Sequence, residues 1–170
     1  LGSHSEIFPA GELLSLPLQL AKLSSPGLVS RETFPLISKT MVEESIKVDG
    51  KNLGLAYLES TRPRTGHSPH FTDKLPLNYY YCGLINRILP EAKIIHVHRN
   101  PMDTCFSNFK QLYTTGAYAF SYNLNALADY YLSYAALMDH WHKLLSGKIL
   151  DIRYEDLIEN PKATIEPALD

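Results

Sequence analysis

The sequence predicts an α/β domain, a three-layer arrangement in which a parallel sheet is covered by helices on both faces, and three observations lead there. Ile94–His98 (IIHVH) is a short run with β-branched residues that suits a buried strand, and helix-start chemistry follows it at once. Lys148–Arg153 (KILDIR) is a second such run, reached after the longest helical pattern in the chain. The 170 residues, 45% of them hydrophobic, are enough for one domain with a real core and crowded for two. Strand, helix, strand, helix order implies parallel pairing, with a binding crevice at the carboxyl ends of the strands.

The elements can be justified in chain order. After a loop that reaches Gly11, Leu13, Leu16, Leu20 and Leu23 recur at helical spacing, with Pro17 limiting the regularity of the helix. Glu12 stands at the junction, where a first-turn carboxylate would complement the helix dipole. Residues 24–39 read as a connector. Thr40–Arg62 reads as two short helices broken near Asp49 and Gly50, with Leu53, Tyr57 and Leu58 facing inward, and Pro63–Pro69 as a polar, turn-rich loop. Order resumes at Phe71–Pro76 (FTDKLP), and a helix is expected over Leu77–Leu89. Tyr79, Tyr80 and Tyr81 read as packing groups rather than a cofactor stack.

Asn100 can cap a helix, Pro101 fits its first position and Asp103 its first turn. Arg99 therefore lies between a strand end and a helix N-terminus, where free backbone N–H groups can hold a phosphate or sulfate. Ser107 adds a hydroxyl on the face shared by Asn100 and Asp103, so Arg99 and Ser107 read as two grips on one anion, against the plainer alternative of a cap beside a surface arginine. Gly116–Asn123 reads as an aromatic-rich loop. In Leu124–Leu145, Leu124, Leu127, Tyr131, Tyr134, Met138, Trp141 and Leu145 form a core stripe, and Gly147 ends that helix. Tyr154, like Arg99, falls at a strand's carboxyl end.

Composition excludes several classes. A net charge of −2 and the lack of a basic block argue against a nucleic-acid polymer as partner. Two cysteines, Cys82 and Cys105, have no paired spacing for a disulfide framework or zinc site, which favours a reducing, cytoplasmic setting. No apolar run approaches the roughly 20 residues that span a bilayer, so no membrane is expected in this segment. His96 and His98 share a strand face and His140 and His142 are close in sequence, but spacing places no carboxylate or third histidine with them, and no metal is expected.

Three stretches in order, SHSEIFPAGEL, FTDKLPLNYYYCGLINRILPEAKIIHVHRNPMDTCFSN and ILDIRYEDLIENP, carry a resemblance over nearly the whole chain. The sequence resembles the sulfotransferase family, most closely the branch of tyrosylprotein sulfotransferases and of bacterial sulfotransferases with tetratricopeptide repeats. The resemblance implies a P-loop nucleotide hydrolase-like sulfotransferase fold, a single domain over 1–170, and a donor, 3′-phosphoadenosine 5′-phosphosulfate (PAPS), that leaves as 3′-phosphoadenosine 5′-phosphate (PAP). Arg99 and Ser107 match the pair that binds the 3′-phosphate. Glu12 matches the carboxylate that deprotonates the acceptor hydroxyl, Lys74 the lysine that neutralises charge near the transferred group, and Tyr154 a residue near the adenine. The resemblance assigns Asp73 no role. The family's glycine-rich 5′-phosphosulfate loop would sit just before Leu1 and a further cofactor-covering segment after Asp170; without them the segment is expected to be poorly active alone. A tyrosylprotein-type relative would work in the Golgi lumen rather than the cytoplasm.

The leading expectation is transfer of a sulfuryl group to an acceptor hydroxyl on a protein tyrosine, a sugar or a small molecule. Positioning and electrostatics would carry most of the rate, as in phosphoryl transfer. A kinase-type P-loop enzyme would need a P-loop lysine and a magnesium carboxylate, neither of which can be placed. A non-catalytic nucleotide-binding or interaction module on the same fold is the other alternative.

Overall fold

The computed structural model describes residues 1–24, 39–66, 68–114 and 116–169. The chain forms two compact units, Leu1–Ala92 and Lys93–Asp170. Each contains one pair of parallel strands.

In the first unit, β1 (Ile7–Pro9) pairs in parallel with β2 (His70–Thr72), in the register Ile7 to His70 and Pro9 to Thr72. Helix α1 (Ser15–Ser24) starts later than the leucine spacing predicts. Glu12 is therefore outside the first turn, Leu13 is buried ahead of the helix, and Leu23 is 45% exposed rather than inward. Pro17 is tolerated because it falls in the first turn, where backbone N–H groups have no intrahelical partner. The expected connector, apart from its end residues, lies outside the described residues. Helix α2 (Lys39–Ser45) precedes α3 (Gly50–Thr65), and the predicted break is real: Asp49 caps α3, accepting from Lys51 N at 2.9 Å and Asn52 N at 3.3 Å.

Helix α3 is longer than predicted. It continues through Pro63, which shortens the polar loop that the sequence suggests over 63–69; residue 67 of that loop is outside the described residues. Two buried threonines sit in this last stretch with their hydroxyls satisfied on the helix itself, Thr61 Oγ1 donating to Leu58 O at 2.8 Å and Thr65 Oγ1 to Thr61 O at 3.2 Å. A proline this close to the helix end forfeits a single backbone bond. Gly66 then ends the helix with φ of 60°, its N–H on Arg62 O.

The helix expected over Leu77–Leu89 is split into a 3₁₀ segment, Pro76–Tyr81, and α4 (Cys82–Ile88). Leu16, Leu20, Met41, Leu53, Tyr57, Tyr81 and Ile88 form the unit's core, with Leu58 and Tyr80 packed against it. Leu20 and Leu53 are fully buried, each worth roughly 1.5–3 kcal/mol over an exposed position. Tyr79 stacks on Tyr80 at 4.2 Å, in keeping with a packing role.

In the second unit, β3 (Ile94–His98) pairs in parallel with β4 (Ile149–Arg153), His96 opposite Asp151 and His98 opposite Arg153. Helix α5 (Pro101–Phe109) follows β3 as its capping chemistry predicts. The expected aromatic loop is instead 3₁₀ turns over Gly116–Tyr122, and Asn123 caps α6 (Leu124–Leu144) by accepting from Ala126 N at 3.0 Å. The stripe on α6 is only partly core. Leu127, Met138 and Leu145 are buried, the aromatic members are half-buried, and Leu124 is 62% exposed. Short helices α7 (Tyr154–Glu159) and α8 (Pro161–Ile165) follow β4. Mixed helix and parallel sheet is thus the observed class, with the strands in two separate pairs. Among the described residues no helix is long and apolar enough to cross a membrane.

Candidate functional site

In the first unit the parallel pair continues as backbone bonds beyond the strands, Ala10 N to Thr72 O at 3.1 Å and Lys74 N to Gly11 O at 2.8 Å. Gly11, at φ of 71°, turns the chain in a conformation that a side chain would resist. Glu12 and Lys74, 62 residues apart in sequence, consequently leave the carboxyl ends of β1 and β2 side by side, and the Lys74 Nζ is ion-paired with Glu12 Oε1. Both side chains are more than half exposed, so the charges remain accessible. Beside them a cleft of about 440 Å³ is lined by Glu12, Leu18, Ser60, Thr61, Pro63 and Arg64. The Arg64 guanidinium donates to the Glu12 carbonyl oxygen at 3.4 Å.

Asp73, to which the resemblance assigns no role, fixes this corner. Its Oδ1 accepts from Leu13 N at 3.3 Å and its Oδ2 from the Tyr57 hydroxyl at 3.0 Å. One carboxylate thus holds the backbone on the far side of Glu12 and anchors to α3, while its own neighbour in sequence is Lys74. Burial pushes the Asp73 carboxyl above its ordinary range, even though the bonds from Tyr57, Leu13 and Asn78 pull the other way. Burial and the facing Asp73 charge likewise push the Tyr57 phenol up, so it stays a neutral donor.

In the second unit, Arg99 and Tyr154 meet as their places at strand ends suggest. The Arg99 guanidinium lies 5.4 Å from the centroid of the Tyr154 ring, and its Nη2 is 3.4 Å from Asp103 Oδ2. Ser107 lies in α5, half-buried; no hydrogen bond joins it to Arg99 among the described residues.

The backbone N–H groups expected to be free at this turn are not. Asn100 Oδ1 accepts from Met102 N at 2.9 Å and Asp103 N at 3.3 Å, and Asn100 N donates to Glu155 Oε1 at 3.0 Å. Pro101 has no N–H to offer. The cap the sequence predicts uses donors that an anion would need, and Glu155, which sequence reasoning passed over, takes the Asn100 N–H. The Asn100 N–H, first, and the nearby arginines hold the Glu155 carboxyl below its usual range. Its place beside Tyr154 and the register of β3 on β4 are the signals that would have found it.

A third cluster joins β3, β4 and α6. Asp151 faces His96 through Oδ1 and His142 through Oδ2, which supplies the carboxylate that sequence spacing left unplaced. Cys82 and Cys105 are free thiols.

Comparison with known proteins fits this layout. The chain is 34% identical over 177 residues to an uncharacterized protein of Aquifex aeolicus (strain VF5), an alignment that takes in 100% of this chain and 22% of that protein. It therefore spans about a fifth of the length of the curated relative it matches. No solved structure matches it. The profile of the sulfotransferase family matches residues 1–170, the same span in which the Glu-Lys and Arg-Tyr pairs stand at the carboxyl ends of parallel strands, and the chain belongs to that family.

Proposed function

We propose that the protein transfers a sulfuryl group from PAPS to an acceptor hydroxyl, and that residues 1–170 belong to one sulfotransferase domain of the three-layer, P-loop-like type. The observation that carries the reading is the Glu12–Lys74 ion pair, a carboxylate and an ammonium delivered together by the carboxyl ends of two parallel strands.

The residues present suit such a donor. Arg99 supplies a fixed cation for a phosphate, Tyr154 an aromatic face beside it, and Ser107 a hydroxyl on the helix that follows. When bound, the donor supplies the sulfuryl group and a phosphate leaving group. Glu12 takes the proton of the acceptor hydroxyl as its oxygen forms the new bond to sulfur, a service worth about 10²- to 10⁴-fold. Lys74 stabilises the negative charge that collects on the oxygen released from sulfur. The cleft lined by Ser60, Pro63 and Arg64 adjoins Glu12 and is the place for the acceptor.

The test is donor preference in the full-length protein. PAP should raise the melting temperature more than ATP with magnesium, and PAPS with a suitable hydroxyl acceptor should release PAP. Stabilisation by ATP with magnesium and none by PAP overturns the reading.

A further inference from the structure

The sulfuryl-transfer reading makes no use of His96, His142 and Asp151, yet these three groups are assembled with more care than packing requires. Asp151 stands opposite His96 in the β3–β4 register, and His142 reaches it from the last turn of α6. His96 Nδ1 is 2.7 Å from Asp151 Oδ1 and His142 Nε2 is 2.8 Å from Asp151 Oδ2. One ligand atom from each of the three lies within 4.8 Å of the others.

Proton placement makes the arrangement informative. His142 Nδ1 is 2.7 Å from the carbonyl oxygen of Met138, which can only accept, so Nδ1 carries a hydrogen. A neutral His142 then presents a bare lone pair at Nε2 to a carboxylate oxygen that is also only an acceptor. Two acceptors at this distance need a proton between them, on the ring or on the carboxyl, or a metal ion.

Both rings are also oriented from behind. His96 Nε2 is hydrogen-bonded to the Tyr134 hydroxyl, and His142 Nδ1 to Met138. Histidines that bind metals are held through their other ring nitrogen in this way. The Asp151 and His142 side chains are 43% and 36% exposed, which leaves room for an ion to enter and for a water as fourth ligand.

We propose that His96, His142 and Asp151 form a mononuclear site for a zinc-class divalent ion, bound through His96 Nδ1, His142 Nε2 and an Asp151 oxygen. Two imidazoles and one carboxylate suit borderline first-row ions and not calcium or magnesium, which prefer all-oxygen shells. The site lies three residues before Arg99 on β3 and three before Tyr154 on β4, about 10 Å from that pair at strand spacing. Its role is to tie β3, β4 and the end of α6 together beneath the Arg99–Tyr154 contact.

The experiment titrates chelator-stripped protein with Zn²⁺ by calorimetry, and with Co²⁺ while visible absorption is read. Wild type should bind one more equivalent than His142→Gln or Asp151→Asn. Tyr134→Phe, which keeps every ligand and the ring that packs on His96, should weaken that equivalent by about 10-fold or more. His98→Gln should leave it unchanged, because His98 stacks on His96 without joining the ligand set. Equal stoichiometry and affinity in wild type and His142→Gln overturns the site. So does a nuclear magnetic resonance titration in which the His142 ring is doubly protonated and indifferent to Zn²⁺, since a proton then fills the gap.

Discussion

The Tyr57 hydroxyl donates to Asp73 Oδ2 at 3.0 Å, while Leu13 N donates to the other oxygen at 3.3 Å. A single half-buried carboxylate therefore bridges α3, the approach to α1 and the segment that presents Lys74. The backbone on either side of the Glu12–Lys74 pair is thus held by a residue that meets neither side chain.

Asp73 predicts an unusual pH dependence. Its folded-state proton affinity is raised above the ordinary aspartate value of 3.8, chiefly by burial. The folded protein thus holds that proton more tightly than the unfolded chain. The resulting stabilisation is present below the unfolded value and is lost as pH rises through the folded one. Asp73→Asn keeps an oxygen for Leu13 N and an amide for the Tyr57 oxygen but does not titrate. Urea denaturation of both proteins should show the asparagine variant gaining on wild type as pH rises from about 4 to neutrality. A constant difference across that range, or a gain by wild type, contradicts the assignment.

Glu12→Ala in the full-length protein should lower turnover by about 10²- to 10⁴-fold with affinity for PAP nearly unchanged. On the proposed mechanism the carboxylate acts on the acceptor proton, so its loss falls on the chemical step rather than on the nucleotide. Normal turnover in single-turnover assays removes Glu12 from the mechanism.

Gly54 offers a prediction on stability alone. A Cβ there would stand 2.4 Å from the Ile88 carbonyl oxygen, at the close approach of α3 to α4. Alanine normally favours a helix interior by roughly 0.5–1 kcal/mol over glycine. Here the clash with rigid backbone should win, and Gly54→Ala should destabilise the protein by about 1–3 kcal/mol. A higher denaturation midpoint for the variant would show that α4 yields without cost.

What was legible in the sequence is what local chemistry encodes. Asn100, Pro101 and Asp103 announce α5 because a cap, a fixed φ and a dipole partner act within one turn. Asp49 breaks α2 from α3 in the same way. Leu23 and Leu124 were misplaced because helical spacing gives a face but not what covers it, and Pro63 because two buried threonines carry α3 past a residue that usually stops one. Partners set by strand register were out of reach. Nothing near His142 signals Asp151, nothing near Asn100 signals Glu155, and Tyr57 is 16 residues from Asp73 on another element. The family resemblance names Glu12 and Lys74 for separate roles and does not predict that they pair.

Arg99 and Glu155 should act on nucleotide binding with opposite signs. The N–H groups of Asn100, Met102 and Asp103 are not free for an anion, because the Asn100 side chain caps two and Glu155 accepts the third. On the proposed reading Arg99 is then the principal attraction for the 3′-phosphate. Its removal in Arg99→Ala should cost a charge-assisted contact, about 1.5–3 kcal/mol or roughly 10- to 100-fold in the dissociation constant of PAP. Glu155→Gln keeps an oxygen acceptor for Asn100 N but removes a negative charge from the phosphate's approach. Binding should tighten by a few-fold at low salt, and the gain should shrink as ionic strength rises. Calorimetry of both variants separates the possibilities: unchanged affinity in Arg99→Ala takes the guanidinium out of the anion site. Weaker binding in Glu155→Gln means that this carboxylate serves chiefly to hold the turn in shape, its charge counting for less than the bond it accepts.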